Sequence, residues 1–119
     1  MHLLIVDDEA HVVDRLATTI GWDRIGITQV YRAYSGYEAL ELLRQFAVDI
    51  VITDIQMPGM NGIDVLKQLR QNTRTAGVPV IMLSANSDSP MVLDQSVHAD
   101  LYLQKPFKVA EFLSVLDKK

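Results

Sequence analysis

"IVITDIQMPGMNG" (residues 50–62) runs from a wholly apolar stretch into an acid, a proline and two glycines. Ile50, Val51 and Ile52 do not alternate with polar residues, which is the pattern of a strand covered on both faces, as inside a parallel sheet. The apolar run gives way at Asp54, and "PGMNG" (58–62) carries turn chemistry. Asp54 therefore either merely ends a strand or stands at the mouth of a site.

Short apolar runs of the same kind recur along the chain: "LLIV" (3–6), "QVYRAY" (29–34), "DIVIT" (49–53), "VPVIML" (78–83) and "DLYLQ" (100–104). The segments between them have helical period. Val12, Val13, Leu16, Ala17 and Ile20 share one helix face, and Ala39, Leu40, Leu43, Phe46 and Ala47 share a second. "SGYE" (35–38) offers a Ser-x-x-Glu capping box at the start of that second helix. Ile63, Leu66 and Leu69 mark a third helix. A short fourth is expected after "SDSP", with Ser89 as cap and Pro90 in first position. Val109, Phe112, Leu113 and Leu116 mark the last.

Five strands alternating with five helices across short connections predict a parallel sheet with helices on both faces. The runs at 29–34 and 100–104 include Gln29, Arg32, Asp100 and Gln104, as edge strands would. With those two outside, the fold class is a doubly wound, flavodoxin-like (βα)5 domain with a five-stranded sheet in the order 2-1-3-4-5. All 119 residues are read as one domain, with no internal repeat or linker. The 49% hydrophobic and 22% charged fractions are globular values. No apolar run approaches the roughly 20 residues that span a bilayer, and "LLIV" meeting "DDE" is no signal peptide. The absence of cysteine excludes disulfides and thiolate metal sites and is compatible with a reducing cytoplasm. A net charge of −4 without a basic stripe argues against direct nucleic-acid binding by this segment.

In such a sheet, ligands bind beyond the carboxyl ends of the central strands. Asp7 and Asp8 follow the first run, Asp54 the third, Ser84 the fourth and Lys105-Pro106 the fifth. Any one of them alone reads as a turn or cap. Together they put three carboxylates, a hydroxyl and an ammonium at one edge. Three ionised carboxylates at close range need a counter-charge, and oxygen-only ligands suit a hard cation, Mg²⁺ or Mn²⁺. An Asp carboxylate can act as a nucleophile toward phosphorus, with the cation, ammonium and hydroxyl balancing charge on the phosphoryl oxygens.

The motifs "VDDE" (6–9), "VITDIQMPGMNG" (51–62), "PVIMLSA" (79–85) and "YLQKPF" (102–107), in that order and spacing, resemble the receiver domain of bacterial two-component response regulators. The resemblance covers essentially the whole chain. It implies a phosphoacceptor signalling switch rather than an enzyme, with at most self-catalysed transfer and dephosphorylation, in the cytoplasm. Asp54 would take a phosphoryl group from a sensor histidine kinase. Asp8, Asp54 and the backbone carbonyl of Gln56 would hold Mg²⁺, with Asp7 acting largely through water. Ser84 would hold a phosphoryl oxygen and Lys105 would pair with the phosphate. Tyr102 would be the aromatic that swings inward, and Pro106 matches the family's cis Lys–Pro bond. The helix 4–strand 5–helix 5 surface would then change to control an effector domain or target protein, a transcriptional one being expected, and no membrane partner is implied. The resemblance also leaves room for a phosphorylation-dependent homodimer. "IGWDRIGI" (20–27) further resembles receivers joined to AraC-type DNA-binding domains. Either a single-domain regulator or one module of a longer chain fits.

Two departures stand out. His98 takes the place of the glycine that usually ends helix four, and the stretch from Ser84 to Lys105 is about one residue short. Rival readings meet specific obstacles. A haloacid dehalogenase-type phosphatase needs Asp-x-Asp, whereas Asp7 and Asp8 are adjacent. A flavin module needs a phosphate loop where Asp7, Asp8 and Glu9 would repel phosphate. A receiver that no longer takes phosphate would be expected to lack one of the chemical positions, and all of them are filled.

Overall fold

The computed structural model describes residues 1–19, 21–55, 57–84 and 101–104, with Thr19, Ser84 and residues 101–104 described by backbone alone. Through the fourth strand the elements alternate as expected. They are β1 (His2–Val6), α1 (Ala10–Thr19), β2 (Gln29–Ala33), α2 (Gly36–Gln45), β3 (Ile50–Asp54), α3 (Gly62–Gln71), β4 (Val80–Ser84) and β5 (Leu101–Gln104). All pairings are parallel, and the order is β2-β1-β3-β4-β5. The expected fourth and fifth helices, His98 and Pro106 lie outside the described residues.

Alternating side chains of the central strands feed two separate cores. Leu4, Val6, Val51, Val80 and Met82 pack with Ala39 and Leu43 of α2 and with Ile63, Val65, Leu66 and Leu69 of α3. Leu3, Ile5, Ile50, Ile52, Ile81 and Leu83 face the other way, toward Val13 and Leu16 of α1. This explains the unbroken apolar runs, because both faces of these strands are covered. Each fully buried Leu or Ile contributes about 1.5–3 kcal/mol. β2, by contrast, is mostly half-buried or exposed, as an edge should be.

Trp22 belongs to a 3-10 turn (Trp22–Ile25) between α1 and β2 and is buried in the α1-side core. Its indole N–H donates to the Leu16 carbonyl at 3.0 Å, satisfying a group near the end of α1. Gly26 closes the turn with φ +87°, a left-handed conformation that glycine adopts without penalty.

Several boundaries differ from the sequence reading by one or two residues. Asp54 and Ser84 are the last residues of β3 and β4 rather than the first beyond them, because the β3–β4 ladder continues to the Asp54–Leu83 pair and the β4–β5 ladder to Ser84–Gln104. α2 stops at Gln45, and Phe46 turns extended at φ −129°. Phe46 lies off the helical face and stacks on Tyr31 of β2, with ring centroids 4.9 Å apart.

Candidate functional site

The chain steps from β1 out to β2 and then returns past β1 to β3, so the winding direction switches between β1 and β3. Asp7 and Asp8 leave the end of β1, and Asp54 ends β3. The Asp7 N–H donates to the Ala33 carbonyl at 3.2 Å, which extends the β1–β2 ladder by one residue and fixes where the acidic turn begins. The Asp7 carboxylate in turn accepts from the Glu9 N–H at 3.0 Å.

Asp7 is fully buried and Asp54 is 6% exposed, whereas Asp8 is open to solvent. Carboxylate oxygens of the three lie within 4.8 Å of one another. The Asp8 carboxyl is held above its usual range, first by partial loss of solvent around it and then by hydrogen bonding and repulsion from Asp7. Three converging acids with oxygen-only donors fit a small hard divalent cation, and the open side at Asp8 leaves room for water and a phosphate oxygen.

The chain beyond Asp54 is held tightly. The Thr53 hydroxyl donates to the Asp54 carbonyl at 3.0 Å. The Ile55 N–H donates to the Leu83 carbonyl at 3.1 Å, and the Gly62 N–H donates back to the Ile55 carbonyl at 2.8 Å. A Cβ on Gly62 would lie 2.2 Å from the Asp54 carbonyl oxygen, so α3 can approach this close only with glycine in its first position. Asn61 caps α3 reciprocally. Its side chain accepts from the Asp64 N–H at 2.9 Å, and its N–H donates to the Asp64 carboxylate at 3.1 Å.

The sequence reading did not include this support, although Asn-x-x-Asp at 61–64 was its signal. It did include the box at 35–38, which forms by half. Ser35 accepts from the Glu38 N–H at 3.1 Å, but the Glu38 carboxylate reaches one residue further back, to the Tyr34 N–H.

The expected site residues thus divide. Asp7, Asp8 and Asp54 converge. The β4–β5 register sets Tyr102 beside Met82 and Gln104 beside Ser84. Gln56, Lys105 and the side chains of Ser84 and Tyr102 lie outside the described residues.

Residues 3–117 match the response regulator receiver domain. The chain belongs to that family. Receiver domains are the phosphoacceptor switches of two-component signalling, acting between histidine kinases and effectors rather than as conventional enzymes. This receiver domain is 37% identical over 116 residues to the DNA-binding response regulator MtrA of Mycolicibacterium paratuberculosis, an alignment covering 94% of the chain and 48% of that protein. It is 34% identical over 119 residues to the chemotaxis protein CheY-3 of Vibrio cholerae, covering 99% of the chain and 90% of that protein. Its fold is similar to the REC domain of AraT, a response regulator from Geobacillus stearothermophilus, with a TM-score of 0.88 and 28% identity, covering 98% of this chain and 90% of that one. The receiver domain spans about half the length of the MtrA relatives it matches. No helix among the described residues is long and apolar enough to cross a membrane.

Proposed function

We propose that Asp54 is the phosphoacceptor of a Mg²⁺-dependent switch formed by residues 1–119 as one receiver domain. The observation that carries this is the Asp54 carboxylate, nearly buried at the end of a central strand and within 4.8 Å of the Asp7 and Asp8 carboxylates. A lone strand-end cap would not need two further acids beside it.

In the transfer, an Asp54 carboxylate oxygen forms a bond to phosphorus. The bond from phosphorus to the imidazole nitrogen of a kinase phosphohistidine breaks, and the electron pair leaves with the imidazole. Asp8, Asp54 and the Gln56 carbonyl would hold Mg²⁺ or Mn²⁺, with Asp7 acting through water, and the ion would supply positive charge against the phosphoryl oxygens. Ser84 holds one phosphoryl oxygen and Lys105 pairs with another. Drawn to the phosphate, Ser84 leaves space for Tyr102, and the helix 4–strand 5–helix 5 surface changes.

The output is control of an effector. The likeness to MtrA, named as DNA-binding, and the "IGWDRIGI" stretch both favour a DNA-binding effector in the full protein. We place the domain in the cytoplasm, where its kinase acts, and include dimerisation through the switched face.

The test is incubation with Mg²⁺ and acetyl phosphate, followed by peptide mass mapping. One phosphoryl group should appear on Asp54. Labelling of Asp54→Ala at the wild-type rate would overturn the assignment.

A further inference from the structure

The loop after Asp54 touches a helix that contributes nothing to the acidic cluster. A Cβ on Gly36, the first residue of α2, would lie 2.6 Å from the Met60 carbonyl oxygen and 2.9 Å from the Met60 Cβ and Cγ. One residue along, the Tyr37 ring covers Gly59, where an added Cβ would meet its Cε2 at 3.2 Å; Gly59 has φ +74°. Both contacts fall on residues 59–60, immediately before the Asn61 cap and Gly62. Gly62 in turn rests on the Asp54 carbonyl. A shift of residues 59–60 therefore reaches the backbone of Asp54 through two residues.

Core packing does not account for Tyr37. The buried residues of α2 are Gly36, Ala39 and Leu43, and Tyr37 is 63% exposed. Its ring lies over the loop, outside the core.

We propose that Gly36 and Tyr37 are positioning residues for the phosphoacceptor. The start of α2 acts as an outer brace that keeps the loop after Asp54 at the height where Asp54 meets Asp7 and Asp8. This rests on the reading of Asp54 and its cation given above. It extends the functional unit to α2 and makes an exposed aromatic a point from which a bound protein can act on the site without touching an acid.

The 119-residue protein and three variants, Gly36→Ala, Tyr37→Ala and Tyr37→Phe, would be titrated with MgCl2 by calorimetry. Each would also be melted without metal and timed for phosphoryl gain from acetyl phosphate. Gly36→Ala and Tyr37→Ala should bind Mg²⁺ roughly tenfold more weakly, the scale on which outer supports act on metal sites, and should label more slowly. The metal-free melting temperature of Tyr37→Ala should hold, whereas that of Gly36→Ala should fall, because the new Cβ would meet the Met60 backbone carbonyl at 2.6 Å and the loop must shift. Tyr37→Phe should restore wild-type affinity, because the ring edge makes the nearest approach to the Gly59 position, 3.2 Å from an added Cβ against 3.8 Å for the hydroxyl. If the wild type binds Mg²⁺ and is labelled at Asp54 while Tyr37→Ala keeps its affinity and rate, the brace is refuted. If the wild type does neither, the phosphoacceptor reading fails and the brace with it. Should Gly36→Ala not fold, the Tyr37→Ala and Tyr37→Phe pair decides.

Discussion

Replacing Asp8 by Asn should stabilise the metal-free protein. At 4.8 Å, the outer limit of the carboxylate separations, two unit charges repel by about 0.9 kcal/mol in water and by about 3.5 kcal/mol at an effective dielectric constant of about 20. Asp8 faces two such neighbours but is itself exposed, so the lower figure governs, and the two repulsions sum to about 2 kcal/mol. For a chain of this length that corresponds to a rise in Tm of roughly 6–10 °C. Mg²⁺ should stabilise the wild type by mass action, by about 1.4 kcal/mol at ten times its dissociation constant. Asp8→Asn, lacking one of the proposed ligands, should lose most of that increment. The assay is a thermal melt of both proteins with and without millimolar Mg²⁺, with NaCl matching the ionic strength, since screening alone weakens repulsion between exposed charges. An Asp8→Asn protein that melts at or below the wild-type temperature, beside a wild type indifferent to Mg²⁺, would refute the reasoning.

Other perturbations address other parts of the molecule. Leu66→Ala, at a fully buried position in the α2–α3 core, should cost about 2–5 kcal/mol in denaturant unfolding. The Tyr34 hydroxyl donates to the Asp14 carboxylate at 2.8 Å, and that bond holds its ionisation above the ordinary phenol range. Its stabilising effect is therefore present at neutral pH and is lost as pH rises through the raised value. Asp14→Asn should bring the Tyr34 titration back toward about 10, read as the tyrosinate absorbance missing from Tyr34→Phe. Beryllofluoride with Mg²⁺ should shift amide NMR signals across residues 84–116, and Ser84→Ala should accept phosphate yet pass less of the change to Tyr102. Shifts confined to the neighbours of Asp54 would count against that coupling.

The sheet was legible because its signals are local and repeated. Unbroken runs such as Leu3–Val6 and Ile50–Ile52 occur where both faces are covered, and Gln29 and Arg32 mark an edge. The acidic cluster was legible once the strand order had been set, since topology alone brings Asp7 and Asp8 to Asp54. What escaped the sequence was contact at a distance. Nothing in "SGYE" says that Gly36 will face the Met60 carbonyl, because the glycine answers to a loop more than twenty residues away. Phe46 was misplaced for a related reason. Its spacing fits the α2 face, but stacking on Tyr31 across the β2 edge competes with another turn of helix.

Trp22 gives the protein an optical label on one side only. It is the one tryptophan of the chain, and it reports from the layer under α1, whereas Tyr31 packs against the layer under α2 and α3. Indole emission therefore follows the loosening of a single layer, while far-ultraviolet circular dichroism sums over all the helices. Coincident transitions by the two probes would mean that the sheet transmits cooperativity from face to face. An emission change that lags behind the dichroism would locate the first opening on the opposite face, where α3 rests against the carbonyl of Asp54.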